Sequence, residues 1–165
     1  MPPDSEPDFR LATPADADVL LDFMRDYYAF DGHHYDREPA RAALLGLLHN
    51  PAFGSAWLIF DPAPGVPSPV GYVVLCHGYS LEFLGRDAFI DELYLIESFR
   101  GRGWGKRTMQ FVQQEAQRQG IRAIHLEVVR RNTNAFEFYR KLGFKDHDHH
   151  LMTLRLPNPP ESSQH

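Results

Sequence analysis

A single cysteine, Cys76, among 165 residues rules out an internal disulfide and any metal cluster built from thiolates. It lies in the apolar run Val73-Val74-Leu75-Cys76, where packing is its expected role. No apolar run approaches the ~20 residues needed to cross a bilayer, so a membrane is not an expected partner. The opening Met-Pro-Pro-Asp-Ser-Glu is acidic and carries no hydrophobic stretch; it does not read as a signal peptide, and a cytoplasmic location is the default expectation. Lysine is missing from the first half. Residues 1–98 hold 5 Arg and no Lys against 16 Asp and Glu, a balance of −11, whereas residues 99–165 hold 12 Lys and Arg against 6 acids, a balance of +6. The basic half in turn lacks an extended stripe of charge with interleaved aromatics, so nucleic acid is not expected. Its charges gather around one loop, which suits a compact polyanion, and the acidic half suits a cation. His147, His149 and His150 have neither neighbouring cysteines nor a helical His-Glu-x-x-His spacing, so they read as surface histidines and no metal is expected.

What is present fits one α/β domain. A length of 165 residues, 43% hydrophobic and 24% charged, supports a single core, with residues 1–8 as a flexible lead, 9–156 as the domain and 157–165 as a polar tail. Phe9 to Ala12 reads as a strand. Thr13 caps a helix that begins at Pro14 and repeats apolar residues at Val19, Leu20, Phe23, Met24 and Tyr27. A second helix spans about Pro39 to Leu48. Two strands, 56–60 and 70–76, form a hairpin around the proline-rich 61–69, and 79–86 reads as irregular. A central strand over 87–96 follows, then a helix to Gln119, a strand over 123–129, a helix carrying Phe136 to Leu142, and a closing strand over 151–156. The expected fold is a mixed central sheet with helices on both faces.

In the strand over 87–96, alternation puts Ile90, Glu92 and Tyr94 on one side and Phe89, Asp91, Leu93 and Leu95 on the other, with one carboxylate on each face. Two adjacent acids in a core strand are costly to bury, and burial raises a carboxylate's pKa toward the range a general base needs.

The stretch Arg100-Gly101-Arg102-Gly103-Trp104-Gly105-Lys106 joins that strand to the next helix. Alternate glycines let the backbone turn while leaving N–H groups uncovered at a helix start, and Arg102 and Lys106 add positive charge, which together suit a diphosphate. Gly101 and Gly105 enclose three residues and Arg107 follows Lys106, so this is not a P-loop; Thr108 stands where a dinucleotide fingerprint needs its third glycine. The stretch resembles the R-x-x-G-x-G signature of the GNAT superfamily of acyl-CoA-dependent N-acetyltransferases, at Arg100, Gly103 and Gly105. Asn132 to Phe144 is similar to the superfamily's N-x-x-A-x-x-F-Y-x-K-x-G-F pattern, at Asn132, Ala135, Phe138, Tyr139, Lys141, Gly143 and Phe144. The two motifs stand in the right order between residues 100 and 144.

The resemblance implies a GNAT-like fold with parted central strands, acetyl-CoA as co-substrate, and direct transfer of its acetyl group to a primary amine. It implies that the cofactor is held by Arg100 to Lys106, by the backbone of Leu93, Tyr94 and Leu95 acting as an added strand's partner, and by Asn132 and Tyr139. Tyr139 would protonate the departing thiolate, and Glu92 first, Asp91 second, would act as base. The first helix-loop-helix of the family lines the acceptor site, which points to Tyr27, Tyr28 and Asp31, with Glu82 reaching in from 79–86; aromatic rings beside carboxylates suit an ammonium group. A partial resemblance to diamine and polyamine acetyltransferases favours a small cationic amine. A protein lysine or N-terminus as acceptor, and a non-catalytic CoA-binding module, stand as alternatives. A homodimer is a family-level expectation.

Overall fold

The computed structural model describes residues 5–63 and 68–157. The proline-rich connection at 64–67, the first four residues and the tail from 158 lie outside the described residues. The chain packs into two compact units, residues 1–127 and 128–165.

In the first unit the elements run β1 (Asp8–Leu11), α1 (Ala17–Asp31), α2 (Arg37–His49), β2 (Gly54–Phe60), β3 (Pro69–Ser80), β4 (Gly85–Leu95), α3 (Trp104–Arg118) and β5 (Ala123–His125). The sheet order is β1-β2-β3-β4-β5, antiparallel except for the parallel pair β4–β5. Its centre is therefore β3, not the strand over 87–96, and six successive buried residues, Val70 to Leu75, show it covered on both faces. The segment 79–86 is not irregular. β3 runs on to Ser80, which pairs with Gly85, and a four-residue turn joins the two strands, with Leu84 at φ 60°. Glu82 sits exposed on that turn.

Helices cover both faces. Leu20, Leu21, Phe23 and Met24 of α1 and Leu44 of α2 pack on Ala56, Leu58, Tyr72 and Val74. Each Leu, Phe, Met or Val fully buried in such a layer contributes ~1.5–3 kcal/mol relative to exposure. On the other face Trp104 of α3 packs with Ile59, Val70 and Leu95, and Phe111 stacks on Phe9 with ring centres 4.1 Å apart.

Two features of β4 shape the site. The ladder to β3 continues to Leu95, whereas the ladder to β5 covers only Asp87, Ala88 and Phe89, because β5 ends at His125 rather than at 129. Beyond Phe89 that edge of β4 has no strand partner among the described residues. The register to β3 also slips, so that Ile90 faces Leu75 and Glu92 faces Val74, leaving Asp91 as the extra residue of a β-bulge.

In the second unit, α4 (Thr133–Lys141) is capped by Asn132, whose Oδ1 accepts from the Ala135 N–H at 3.1 Å. The closing strand expected over 151–156 is absent: those residues take no strand pairing, and Leu151, Met152, Leu154 and Leu156 are exposed. Alternation alone does not make a strand where no ladder partner is offered.

Candidate active site

Glu92 is 6% exposed, and both of its carboxylate oxygens are taken. Tyr28 of α1 donates its hydroxyl to Oε1 at 2.5 Å and Tyr72 of β3 donates to Oε2 at 2.7 Å. Hydrogen bonds to a charged group contribute ~1.5–3 kcal/mol each, against a burial cost of several kcal/mol for the ion. Burial wins: the Glu92 pKa lies above its ordinary value, raised first by desolvation, with the two phenols opposing and the Asp91 charge adding to the rise. The same desolvation and the adjacent carboxylate push the Tyr28 and Tyr72 hydroxyls far up, so both remain donors. Sequence reasoning missed Tyr72. Its signal was a lone hydroxyl inside the aliphatic run Val70-Gly71-Tyr72-Val73-Val74, which burial obliges to find a partner.

Asp91 behaves differently. The bulge breaks the alternation that assigned the two acids to opposite faces, and the Asp91 charge acts on Tyr28, Cys76 and Glu92 together. Its side chain keeps an exposed surface, yet the crowd around it raises its pKa by partial desolvation. Of the two acids, this is the one with a free approach from solvent. The Cys76 thiol, half-buried near both carboxylates, is pushed up to about 11, first by burial, which makes it a poor nucleophile.

Aromatic rings enclose the pair. Phe23 lies 6.0 Å from Tyr72 and 5.9 Å from Tyr94, and Tyr27 turns its edge to Tyr94 at 6.4 Å. Tyr28 stacks on Tyr35 at 5.9 Å. Asp31 ends α1 paired with His33 Nε2 at 2.9 Å. Of the expected acceptor residues, Tyr27 and Tyr28 therefore stand at the carboxylates. Glu82 does not: its turn lies beyond Gly85, seven residues along β4 from Glu92, or about 23 Å at the rise of a strand.

The open edge of β4 leads into the glycine turn. Ile96 N–H donates to Val70 O at 2.9 Å, which fixes the ladder so that Glu92 and Tyr94 bond toward β3 while the N–H and C=O groups of Leu93 and Leu95 point to the open side. The Leu95 carbonyl already accepts from Arg100 Nε at 2.7 Å. The Arg100 guanidinium lies between Phe30 of α1 and Tyr94 of β4, 4.7 and 5.2 Å from their ring centres. Arg100 thus ties the loop to the strand and to α1.

Gly101 and Gly103 have φ of 70° and 82°, left-handed values that L side chains adopt only at a cost. Gly103 caps α3, and the first bond back into the helix is Arg107 N–H to Gly103 O at 3.1 Å. The N–H groups of Trp104, Gly105 and Lys106 have no partner within the helix, and Lys106 is exposed beside them. Arg102 reaches the Ser98 carbonyl at 3.3 Å and lies over Phe99. These groups fit a diphosphate. The Trp104 side chain does not belong to that set. It is 0% exposed, edge-on to Phe99 at 4.6 Å, and packs with Ile59, Val70 and Leu95 instead.

In the second unit Tyr139 is partly buried, with Phe138 at 5.0 Å and Phe144 at 5.7 Å, and desolvation raises its pKa, so it holds its proton.

A family profile described as acetyltransferase (GNAT) family matches residues 17–144. The chain belongs to the GNAT acetyltransferase family. It is 27% identical over 142 residues to the thialysine N-epsilon-acetyltransferase of Mus musculus, covering 83% of each chain. Among solved structures, an integron cassette protein from the Cole Harbour Salt Marsh metagenome shares 31% identity with a TM-score of 0.77, covering 92% of this chain and 91% of that one. A predicted acetyltransferase of Clostridium acetobutylicum, solved with acetyl-CoA, has the same fold at 17% identity, with a TM-score of 0.74 over 90% of this chain and 96% of that one. This GNAT chain is accordingly an N-acetyltransferase with the mixed-sheet α/β fold. No helix among the described residues is long and apolar enough to cross a membrane.

Proposed function

We propose that this GNAT enzyme transfers the acetyl group of acetyl-CoA directly to a primary amine of a small cationic acceptor, with Asp91 as the base. The observation that carries the reading is the pair of acids on the β4 bulge: one buried and held by two phenols, the other open to solvent, both beside an unpaired strand edge. Glu92, with both oxygens occupied, serves as a fixed negative charge that draws the ammonium in and positions Tyr28. Tyr27 and Tyr28 offer ring faces to the cation, worth ~0.5–2 kcal/mol each.

Asp91 takes a proton from the ammonium. The amine nitrogen forms a bond to the thioester carbonyl carbon, the carbon–sulfur bond breaks, Tyr139 gives its proton to the leaving thiolate, and the phenolate so formed takes up the second proton that the nitrogen sheds as it becomes an amide. N–H groups on the open edge of β4 suit the developing oxyanion, and holding amine and thioester together removes most of the entropic cost. The diphosphate lies at Gly101 to Lys106, and Asn132 caps α4, the helix that carries Tyr139. The name of the mouse relative, with thialysine acetylated at its ε nitrogen, agrees with an amine on a short flexible chain.

The test is an acetyl-CoA-dependent thiol-release screen over diamines, polyamines, aminoglycosides and lysine peptides. Turnover with small diamines or polyamines is the expected result; turnover confined to peptides would move the acceptor to protein lysines.

A further inference from the structure

On the same sheet face as Glu92 lies a cavity of about 150 Å³ that the proposed chemistry does not use. Cys76, near the charges of Asp91 and Glu92, forms one end. Gly78, Asp87, Phe89 and His125 line the rest. The register explains the arrangement: Asp87 faces Gly78, Phe89 faces Cys76, and His125 of β5 lies beside Phe89.

The Asp87 carboxylate is held. His125 Nε2 stands 3.1 Å from Oδ2, and Phe83, from the β3–β4 turn, packs on the imidazole with ring centres 5.1 Å apart. The other oxygen lies over Gly78, where an added Cβ would come within 2.5 Å of Oδ1. Glycine at 78 therefore leaves room for the carboxylate. The side chains of His125 and Asp87 keep only 31% and 19% of their surface exposed, so a charge meeting Asp87 is screened less than on an open surface.

We propose that this cavity is the distal half of the acceptor site, in which Asp87 receives a second ammonium group of a long linear diamine or polyamine. The inference rests on the reading of the chain as an amine acetyltransferase and adds which amine. Asp87 precedes Asp91 by four residues, about 13 Å along the strand. Long chains with a terminal second cation span that distance, and monoamines and short diamines do not. Phe89 and Cys76 supply apolar lining for the methylenes in between.

The experiment is a calorimetric titration of the full chain with a linear monoamine and with terminal diamines of increasing length, repeated on Asp87→Asn and Gly78→Ala, alongside steady-state kinetics with the same amines. Affinity in the parent chain should rise about tenfold once the diamine reaches the cavity, the factor that corresponds to ~1.4 kcal/mol. Both variants should remove that gain and raise KM for long diamines about tenfold with little change in kcat. Gly78→Ala displaces the carboxylate without altering charge, so agreement of the two variants separates the site from a general loss of fold. Affinity independent of chain length in the parent, or equal weakening of monoamine and diamine in both variants, would overturn the proposal. Absence of acetyl transfer to any amine would instead sink the amine-acetyltransferase reading, while the binding series still decides the cavity.

Discussion

The two halves of β4 belong to one strand and do different things. From Asp87 to Phe89 it lies between β3 and β5, its main chain engaged on both sides. From Ile90 to Leu95 it keeps β3 and loses β5, and within that half fall the bulge, both acids and the edge that leads to the glycine turn. A ladder paired on both sides has no main-chain donor to spare for a ligand. Where pairing stops, N–H and C=O groups are left for a ligand, and the bulge interrupts the regular alternation of the two acids.

The contrast between the halves breaks most visibly at the bulge. Asp91→Asn should lower kcat by about 10³-fold, within the range for loss of a general base, and abolish the acidic limb of the pH–rate profile. Desolvation raises the Asp91 pKa, so in the parent chain rate climbs as pH rises through that elevated value and the base loses its proton. Tyr139→Phe should cost about 10²-fold in kcat with acetyl-CoA affinity nearly intact, read by steady-state kinetics beside equilibrium binding; equal activity would remove the acid role.

Smaller effects sharpen the difference between the two acids. Because the folded Glu92 pKa lies above its ordinary value, the folded state binds that proton more tightly than the unfolded chain. Its contribution to stability is full below the unfolded pKa and is lost as pH rises through the folded one. Glu92→Gln should flatten that decline in denaturant titrations across pH. It should lower turnover less than Asp91→Asn; the reverse order would make Glu92 the base. The smallest expected effect is in the loop. Gly103→Ala meets no neighbour within 4 Å, so its cost is backbone strain alone, about 1–2 kcal/mol, visible as a lower thermal midpoint and a higher KM for acetyl-CoA.

Local signals made much of this legible. The 3.6-residue repeat of α1 and the glycines that need left-handed φ act over a few residues, so the first core helix and the turn before α3 could be read directly. Glu92 and Asp91 were legible as a pair. The bulge between them was not, because alternation assumes an unbroken pleat and a one-residue register slip interrupts it. The role of Tyr72 and the contact of Arg100 with Phe30 were illegible for a related reason. The partners of Tyr72 and of the Arg100 ring contacts, Glu92 and Phe30, lie 20 and 70 residues away, and only the folded sheet brings them together. The hairpin at 79–86 was hidden by polar and aromatic residues on a projecting, half-exposed ribbon, while 151–156 alternates as a strand should and pairs with nothing.

Everything proposed for catalysis requires acetyl-CoA to seat itself where the unpaired half of β4 meets the first turn of α3. Isothermal titration of the full chain with acetyl-CoA measures this directly. One equivalent bound with measurable heat, weakened in Gly103→Ala and retained in Asp91→Asn, is the predicted result. No heat with the parent chain, or binding that Gly103→Ala leaves untouched, would contradict it.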